Sequence, residues 1–267
     1  MTGSGNGAID TSKPHSARMY DYYLGGKDWF PIDQEAAEQV KKVFPVAETG
    51  AHANRGFMHR ATRALTTQYG IRQFVDIGTG IPTEPNLHQI AQEAAPESRV
   101  VYADHDPLVL EYADALMHST PEGRTAYIQA DVRHDAILDD PELRRLIDLE
   151  KPVALSLNAL LHFVPDENEP YGIVGGFLDQ LAPGSFLMLS HATADFDDEA
   201  GLEKVREIYR GGGTPLQLRS KAEIERFFDG LELLEPGLTP THRWRNTEGS
   251  ALTDKDAFFY AGLARKP

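Results

Sequence analysis

The chain contains no cysteine among its 267 residues. Disulfides, thiolate zinc sites and cysteine nucleophiles are therefore excluded. Long apolar runs are also missing. None at the N-terminus suits a signal peptide, and none approaches the ~20 apolar residues of a membrane-spanning helix. A cytoplasmic protein with no membrane partner is expected. Positive charge is scarce: 26 Lys and Arg stand against 41 Asp and Glu, a formal net charge of −15. Such a surface repels phosphate backbones, so nucleic acid is a poor partner. The clearest basic stretch, His59-Arg60-x-x-Arg63, reads as the solvated face of a helix. Ten histidines are present, but none has His-x-x-x-His or His-Glu-x-x-His spacing, so no helical metal pair is indicated.

What remains is ordinary globular material. Hydrophobic residues make up 41% and charged residues 25%, and a chain of this length buries a sizeable core without covalent staples. Residues 1–13 are rich in Gly, Ser, Thr and Asn and read as a flexible arm. Residues 14–69 carry a helical pattern in which Phe57, Ala61 and Leu65 form one apolar stripe. Pro31 and Pro45 divide this region into three helices.

After Gly70 the texture changes to alternating strands and helices. Strands are expected near 74–78, 99–104, 125–130, 152–157 and 185–190. Helices are expected near 84–95, 107–118, 174–181, 199–210 and 220–229. Two late strands, near 231–235 and 256–263, lack a long helix between them and can pair antiparallel at one edge. This alternation implies a parallel sheet covered on both faces.

Three acids follow successive strands. The turn Asp76-Ile77-Gly78-Thr79-Gly80 ends the first, and its glycines let a ligand approach the backbone. A dinucleotide fingerprint wants a third glycine, yet Ile81-Pro82-Thr83 follows. Asp76 would sit badly beside a pyrophosphate, but it can accept from the ammonium of an amino-acid-type ligand. This favours S-adenosylmethionine over a nicotinamide dinucleotide. Asp104 ends the second strand, where a carboxylate can accept from both ribose hydroxyls. Asp106 reads mainly as the cap of the helix at Pro107. Asp131 follows the third strand and can accept from the exocyclic amine of adenine, with Val132 packing on the ring. Each acid alone has a structural reading, as a turn or a cap; together they mark strand tips, where open α/β sheets bind ligands.

The order hydrophobic-Asp-x-Gly-x-Gly, strand-Asp-x-x-Pro, Ala-Asp and Leu181-Ala182-Pro183-Gly184-Ser185 resembles class I S-adenosylmethionine-dependent methyltransferases over residues 73–267. A narrower resemblance covers nearly the whole chain. Residues 17–27 (ARMYDYYLGGK), Asn54-Arg55-Gly56-Phe57, residues 101–107 (VYADHDP) and the C-terminal FYAGLARKP are similar to an actinobacterial methyltransferase family formerly labelled a domain of unknown function. The resemblance implies a Rossmann-like α/β fold. Its seven-stranded, mostly parallel sheet would carry an antiparallel C-terminal edge strand. An N-terminal helical extension over 14–69 would precede a cofactor-binding domain over 70–267.

The same resemblance implies a pose. Asp76, Gly78, Thr79 and Gly80 would hold the methionine end of S-adenosylmethionine, and Asp104 the ribose. His105 would lie beside the adenine, Asp131 and Val132 would hold it, and Asn158 would lie near the sulfonium. Leu161-His162-Phe163-Val164-Pro165-Asp166-Glu167 resembles the Leu-His-x-x-x-Asp-Glu stretch of small-molecule O-methyltransferases, which makes His162 the first candidate base and His191 the second. For both, the structural alternative is a histidine hydrogen-bonded inside the sheet edge. Tyr20 and Gly25 belong to a segment expected to fold over the cofactor mouth and shape the acceptor pocket; a helix that merely packs its tyrosines is the alternative. The implied activity is methyl transfer to a small-molecule acceptor, oxygen slightly preferred, with S-adenosylhomocysteine as product. A non-catalytic protein binding the same cofactor is the competing reading.

Overall fold

The computed structural model describes residues 11–109 and 118–267. Most of the arm expected at 1–13, and residues 110–117 of the helix expected at 107–118, lie outside the described residues. Three helices come first: α1 (Ser16–Tyr23), α2 (Pro31–Val43) and α3 (Ala47–Thr67). Pro31 opens α2, where its missing N–H has no partner to lose. Phe57, Ala61 and Leu65 are fully buried on one side of α3.

The strands are β1 (Gln73–Ile77), β2 (Arg99–Asp104), β3 (Arg124–Gln129), β4 (Ala154–Asn158), β5 (Phe186–Ala192), β6 (Glu232–Leu233), β7 (Thr239–Pro240) and β8 (Phe259–Arg265). Between and after them run α4 (Leu87–Ala94), α5 (Pro141–Leu146), α6 (Pro170–Gln180), α7 (Glu199–Gly211), α8 (Lys221–Glu225) and α9 (Asp254–Ala257). Helix α4 starts three residues later than the pattern suggested. Asn86 caps it, with its N–H donating to Gln89 Oε1 at 2.6 Å.

The sheet order is β3-β2-β1-β4-β5-β8-β6. The first five strands are mutually parallel, and β8 runs antiparallel to β5 and to β6. The two-residue β7 also pairs with β8, so the sheet has eight strands where seven were expected. Side chains alternate between its faces. Val75, Ile77, Val101, Leu155, Leu157, Leu187 and Leu189 pack with α5 and α6. Phe74, Val100, Tyr102, Ala154, Phe186 and Met188 pack under Phe57 and Leu65 of α3 and Leu87 of α4. A separate apolar cluster joins the N-terminal helices to α7 through Met19, Tyr23, Val40, Phe44, Leu202 and Val205.

Within the basic stretch of α3, Arg60 is less solvated than its sequence suggests, while Arg63 stays exposed. Arg60 donates to the carbonyls of Trp244 at 2.8 Å and Thr241 at 2.6 Å. Arg63 pairs with Glu93 at 2.9 Å. These arginines tie α3 to its neighbours.

Candidate active site

Strand β1 lies between β2 and β4. At that position successive connections leave an open α/β sheet in opposite directions, and a crevice forms at the carboxyl ends of the strands. One cavity opens there. It is lined by Asp76, Gly78, Thr79, Gly80, Asp104, His105, Asp131, Val132, Asn158, His162 and Tyr20.

Asp76 is half-buried on the α3 side of β1, beside Ser156 of β4. Its carboxylate accepts from Ser156 Oγ at 2.5 Å and from the Thr79 hydroxyl. Loss of water pushes its pKa up, against the pull of those donors. The turn that follows needs its glycines. Gly78 has φ +72°, and a Cβ there would lie 2.5 Å from Leu160 Cδ1. Gly80 has φ +68°, a region that side chains disfavour.

Asp104 is 5% exposed. Its two oxygens accept from Gly80 N–H at 2.8 Å and Asp106 N–H at 3.0 Å. Burial opposes its charge, but His105, then these amides, outweigh it and hold the carboxyl below its usual value. An ionised carboxylate has about four acceptor positions, so room for hydroxyl donors remains. His105 stands at the rim 3.4 Å from Asp104, and that hydrogen bond raises its pKa. The ring of His15 meets His105 at 3.3 Å between their Nε2 atoms.

Asp131 is held differently. Arg133 grips it side-on, with Nε at 2.9 Å and Nη2 at 2.6 Å, and this pairing pulls the Asp131 pKa down to about 2. An adenine amine would share this acid with an arginine. Val132 is partly buried against the core below. Asn158 ends β4. Its Nδ2 donates to Ser156 Oγ at 2.9 Å, and its Oδ1 is buried with no partner. An orphaned acceptor here awaits a donor from a ligand.

His162 lies one turn beyond β4, 4% exposed. Its Nδ1 accepts from Ala192 N–H at a long 3.5 Å. A neutral imidazole that accepts at Nδ1 carries its proton on Nε2. Burial, then His191 and Arg219, hold its pKa well below the ordinary value, so the ring stays neutral.

Two expected residues are not at the cavity. His191 is wholly buried, with Nδ1 on the Ala192 carbonyl at 2.7 Å and Nε2 on Arg219 at 2.8 Å. Both ring nitrogens are engaged, so the arrangement matches the histidine of a sheet edge and leaves no nitrogen for a base. Gly25 is exposed just past the end of α1 with φ +77°. It ends the helix there, and α1 meets the cavity through Ser16, Ala17, Tyr20 and Tyr23 instead.

Sequence reasoning also missed residues. Arg55 lines the cavity, and its Nε is buried with no partner. Its Nη2 reaches the carbonyls of Thr83 and Pro85, and it makes no ion pair among the described residues. The signal was present in Asn54-Arg55-Gly56-Phe57, where no cationic role was read. Asp106 caps Leu108 N–H at 2.9 Å as expected. It also takes Arg18 at 3.4 Å and His15 at 3.3 Å, binding α1 to the β2 end. No local pattern announces a pair 88 residues apart.

The set suits an adenosyl amino acid: acceptors for hydroxyls at Asp104, an orphaned oxygen at Asn158, a cation at Arg55 whose Nε has no partner and which makes no ion pair among the described residues, and a left-handed glycine turn between them. Comparison with known proteins agrees. A family profile described as S-adenosyl methyltransferase matches residues 3–267. A DUF574 family protein from Streptomyces avermitilis is 49% identical over 97% of this chain and 100% of its own, with a TM-score of 0.93. A Thermobifida fusca protein assigned by name to the methyltransferases is 37% identical over 99% of each chain, with a TM-score of 0.89. An O-methyltransferase family protein from Burkholderia thailandensis, 15% identical, shares the fold at a TM-score of 0.51 over 82% of this chain and 60% of its own. No curated protein matches the chain. A strand-tip cavity of this shape and a profile match along almost the whole length lead to one conclusion: the chain belongs to the S-adenosyl methyltransferase family, and its cofactor is S-adenosylmethionine.

Proposed function

We propose that the protein transfers the methyl group of S-adenosylmethionine to an oxygen of a small-molecule acceptor. The observation that carries this reading is the continuity of the cavity. The polar strand tips at Asp76, Asp104 and Asn158 and an apolar compartment under α1, α2 and α7 line the same space. S-adenosylmethionine supplies a methyl group on a positively charged sulfur, which leaves with the C–S electron pair as an acceptor lone pair forms the new bond.

Asp104 binds the ribose hydroxyls, kept ionised by His105 and the Gly80 and Asp106 amides. The glycine turn and Asp76 hold the ammonium end, and Arg55 supplies the positive charge for the carboxylate. Asp131 and Val132, with His105 at the rim, frame the adenine. Asn158 Oδ1 sits closest in role to the sulfonium, as an uncharged acceptor. His162 presents a neutral N–H toward the acceptor and positions it; the activated methyl group needs no strong base, and the proton of the acceptor hydroxyl passes to solvent water as the O–C bond forms. Residues of α1 and α2 close the acceptor side.

Calorimetric titration with S-adenosylmethionine and S-adenosylhomocysteine tests the cofactor half, followed by detection of S-adenosylhomocysteine formed with a panel of small phenols and alcohols. Binding of both nucleosides and product with at least one acceptor are expected. Formation of product with amines or thiols alone would overturn the oxygen assignment, and a chain that turns over no acceptor would overturn the transfer itself.

A further inference from the structure

The compartment beyond the reaction centre has its own chemistry. Its walls come from α2, α7, residues 213–218 and the start of β8. Val40, Phe44, Leu202, Val205, Tyr209 and Phe258 are representative, and these walls contribute no Asp, Glu, Lys or Arg to the cavity lining. The charged lining residues all belong to the strand tips, to the loops beside them and to Arg55. An ion placed among the apolar walls would lose its water and gain no counter-charge. Aromatic rings meet at the walls: Phe44 stands edge-on to Phe258 at 4.9 Å, and Phe163 lies 5.6 Å from Tyr209. Such surfaces prefer the face or edge of another ring.

One polar pair stands in this compartment, the phenols of Tyr23 and Tyr209. Tyr23 is 4% exposed, and its buried hydroxyl has the neighbouring Tyr209 phenol beside it and no other polar partner among the described residues. Buried hydroxyls are almost always paired. Burial first, then the adjacent Tyr209 phenol, keep Tyr23 protonated. Two phenols that share one hydrogen bond keep one O–H donor and free lone pairs, so the position still offers a ligand both a donor and an acceptor.

We propose that this compartment is the acceptor pocket, that it takes an uncharged aromatic molecule, and that the Tyr23 hydroxyl reads a polar substituent on the acceptor remote from the methylated oxygen. The inference rests on the methyl-transfer reading above and names its substrate class. His162 lines the same cavity, so a flat acceptor can meet the imidazole with one end and Tyr23 with the other. Tyr23 is then a specificity-determining residue.

The test uses the full chain saturated with S-adenosylhomocysteine, whose own affinity is measured first. Three probes are titrated by calorimetry: 2-naphthol, 2,6-dihydroxynaphthalene and 6-hydroxy-2-naphthoate. The dihydroxy probe should bind at least ~10-fold more tightly than 2-naphthol, because a site built around a hydroxyl rejects its absence. The carboxylate should bind at least ~100-fold more weakly than the dihydroxy probe. Tyr23→Phe should abolish the preference for the second hydroxyl and leave S-adenosylhomocysteine affinity unchanged. Leu202→Phe, which narrows the pocket, should weaken both neutral probes. Equal binding of the carboxylate, preserved discrimination in Tyr23→Phe, or no binding of any probe to the cofactor-loaded chain would each overturn the proposal. Failure of S-adenosylhomocysteine itself to bind would instead overturn the reading on which it rests.

Discussion

Arg219 donates through Nη1 to Nε2 of His191 at 2.8 Å, and both side chains are sealed from solvent. The same guanidinium donates to the carbonyls of Leu161 at 2.9 Å and Val164 at 3.0 Å and to Asp166 at 2.7 Å. It lies against the rings of Tyr171 and Phe227. Arginine is suited to this because its planar fork serves several acceptors at once. The turn that carries His162 is thereby fastened to β5. His191 acts as a fastening point, and of the two histidines it is His162 that lines the cavity.

Arg219→Ala should destabilise the fold by about 3 kcal/mol, since it strands two buried carbonyls and a histidine nitrogen. Arg219→Lys should recover only part of this, because an ammonium cannot span the same acceptors. Urea denaturation measures both, and an unchanged midpoint for Arg219→Ala contradicts the assignment.

His162 should behave as a positioning donor. His162→Asn, whose amide keeps an N–H but cannot take a proton at neutral pH, should retain most of the turnover. His162→Ala should lose roughly 10-fold or more, below the full loss expected for a general base. The wild-type turnover should show no inflection between pH 6 and 8 from this ring, because its folded pKa lies well below the ordinary 6.5. A rate in His162→Asn as low as in His162→Ala would return the base role to this residue.

Stability should fall as pH drops below about 6.5. His88, His162 and His191 are buried and neutral, with pKa values pushed to about 4 for His88 and about 3 for His191. In the unfolded chain each titrates near 6.5, so below that pH the unfolded state binds more protons and is favoured. The stabilisation is complete about one pH unit above 6.5 and is lost progressively toward each folded pKa, by roughly 1 kcal/mol per pH unit for each ring below 6.5. Asp76 acts with the opposite sign: its raised pKa lets the folded state take a proton first, which offsets part of the loss at the acid end. Urea midpoints at pH 7.5, 6.5 and 5.5 should fall slightly in the first step and by roughly three times as much in the second. A flat profile would show that these rings are protonated in the folded protein.

The three strand-tip acids should not contribute equally to cofactor affinity. Asp104→Ala should weaken S-adenosylmethionine binding ~100-fold, as loss of a charged hydrogen-bonding partner does. Asp131→Ala should cost only ~10-fold or less, because Arg133 already occupies much of that carboxylate. Calorimetry of the two variants decides the order, and a larger loss for Asp131→Ala would reverse the assignment of the ends of the cleft.

Much of the fold was legible before any coordinates. Strands β1 to β5 were placed to within two residues of where they run, because short segments bounded by turn residues alternate with helical patterns along the chain. The acids at the tips of β1 and β2 and after β3 could be placed because strand ends and ligand crevices coincide in open sheets. The start of α4 was misplaced, since cap chemistry at Asn86 outweighed the apolar pattern around it. The β7 pairing was invisible because two residues carry no period.

By itself the sequence determined the order of the elements, the glycine turn at Gly78 and Gly80, and the carboxylates that such a sheet collects at one end. These follow from local rules: period, chain stiffness and turn geometry act over a few residues. The tertiary structure alone decided which of those groups are free. It gave His191 to Arg219, Asp131 to Arg133 and Asp106 to Arg18, it set the Tyr23 phenol beside that of Tyr209, and it left Asn158 Oδ1 without a partner. It also brought Val40 and Phe44 against Leu202 and Val205 to wall an apolar chamber. An amphipathic pattern states that a face must be covered; only packing in three dimensions states by what, and whether space remains between.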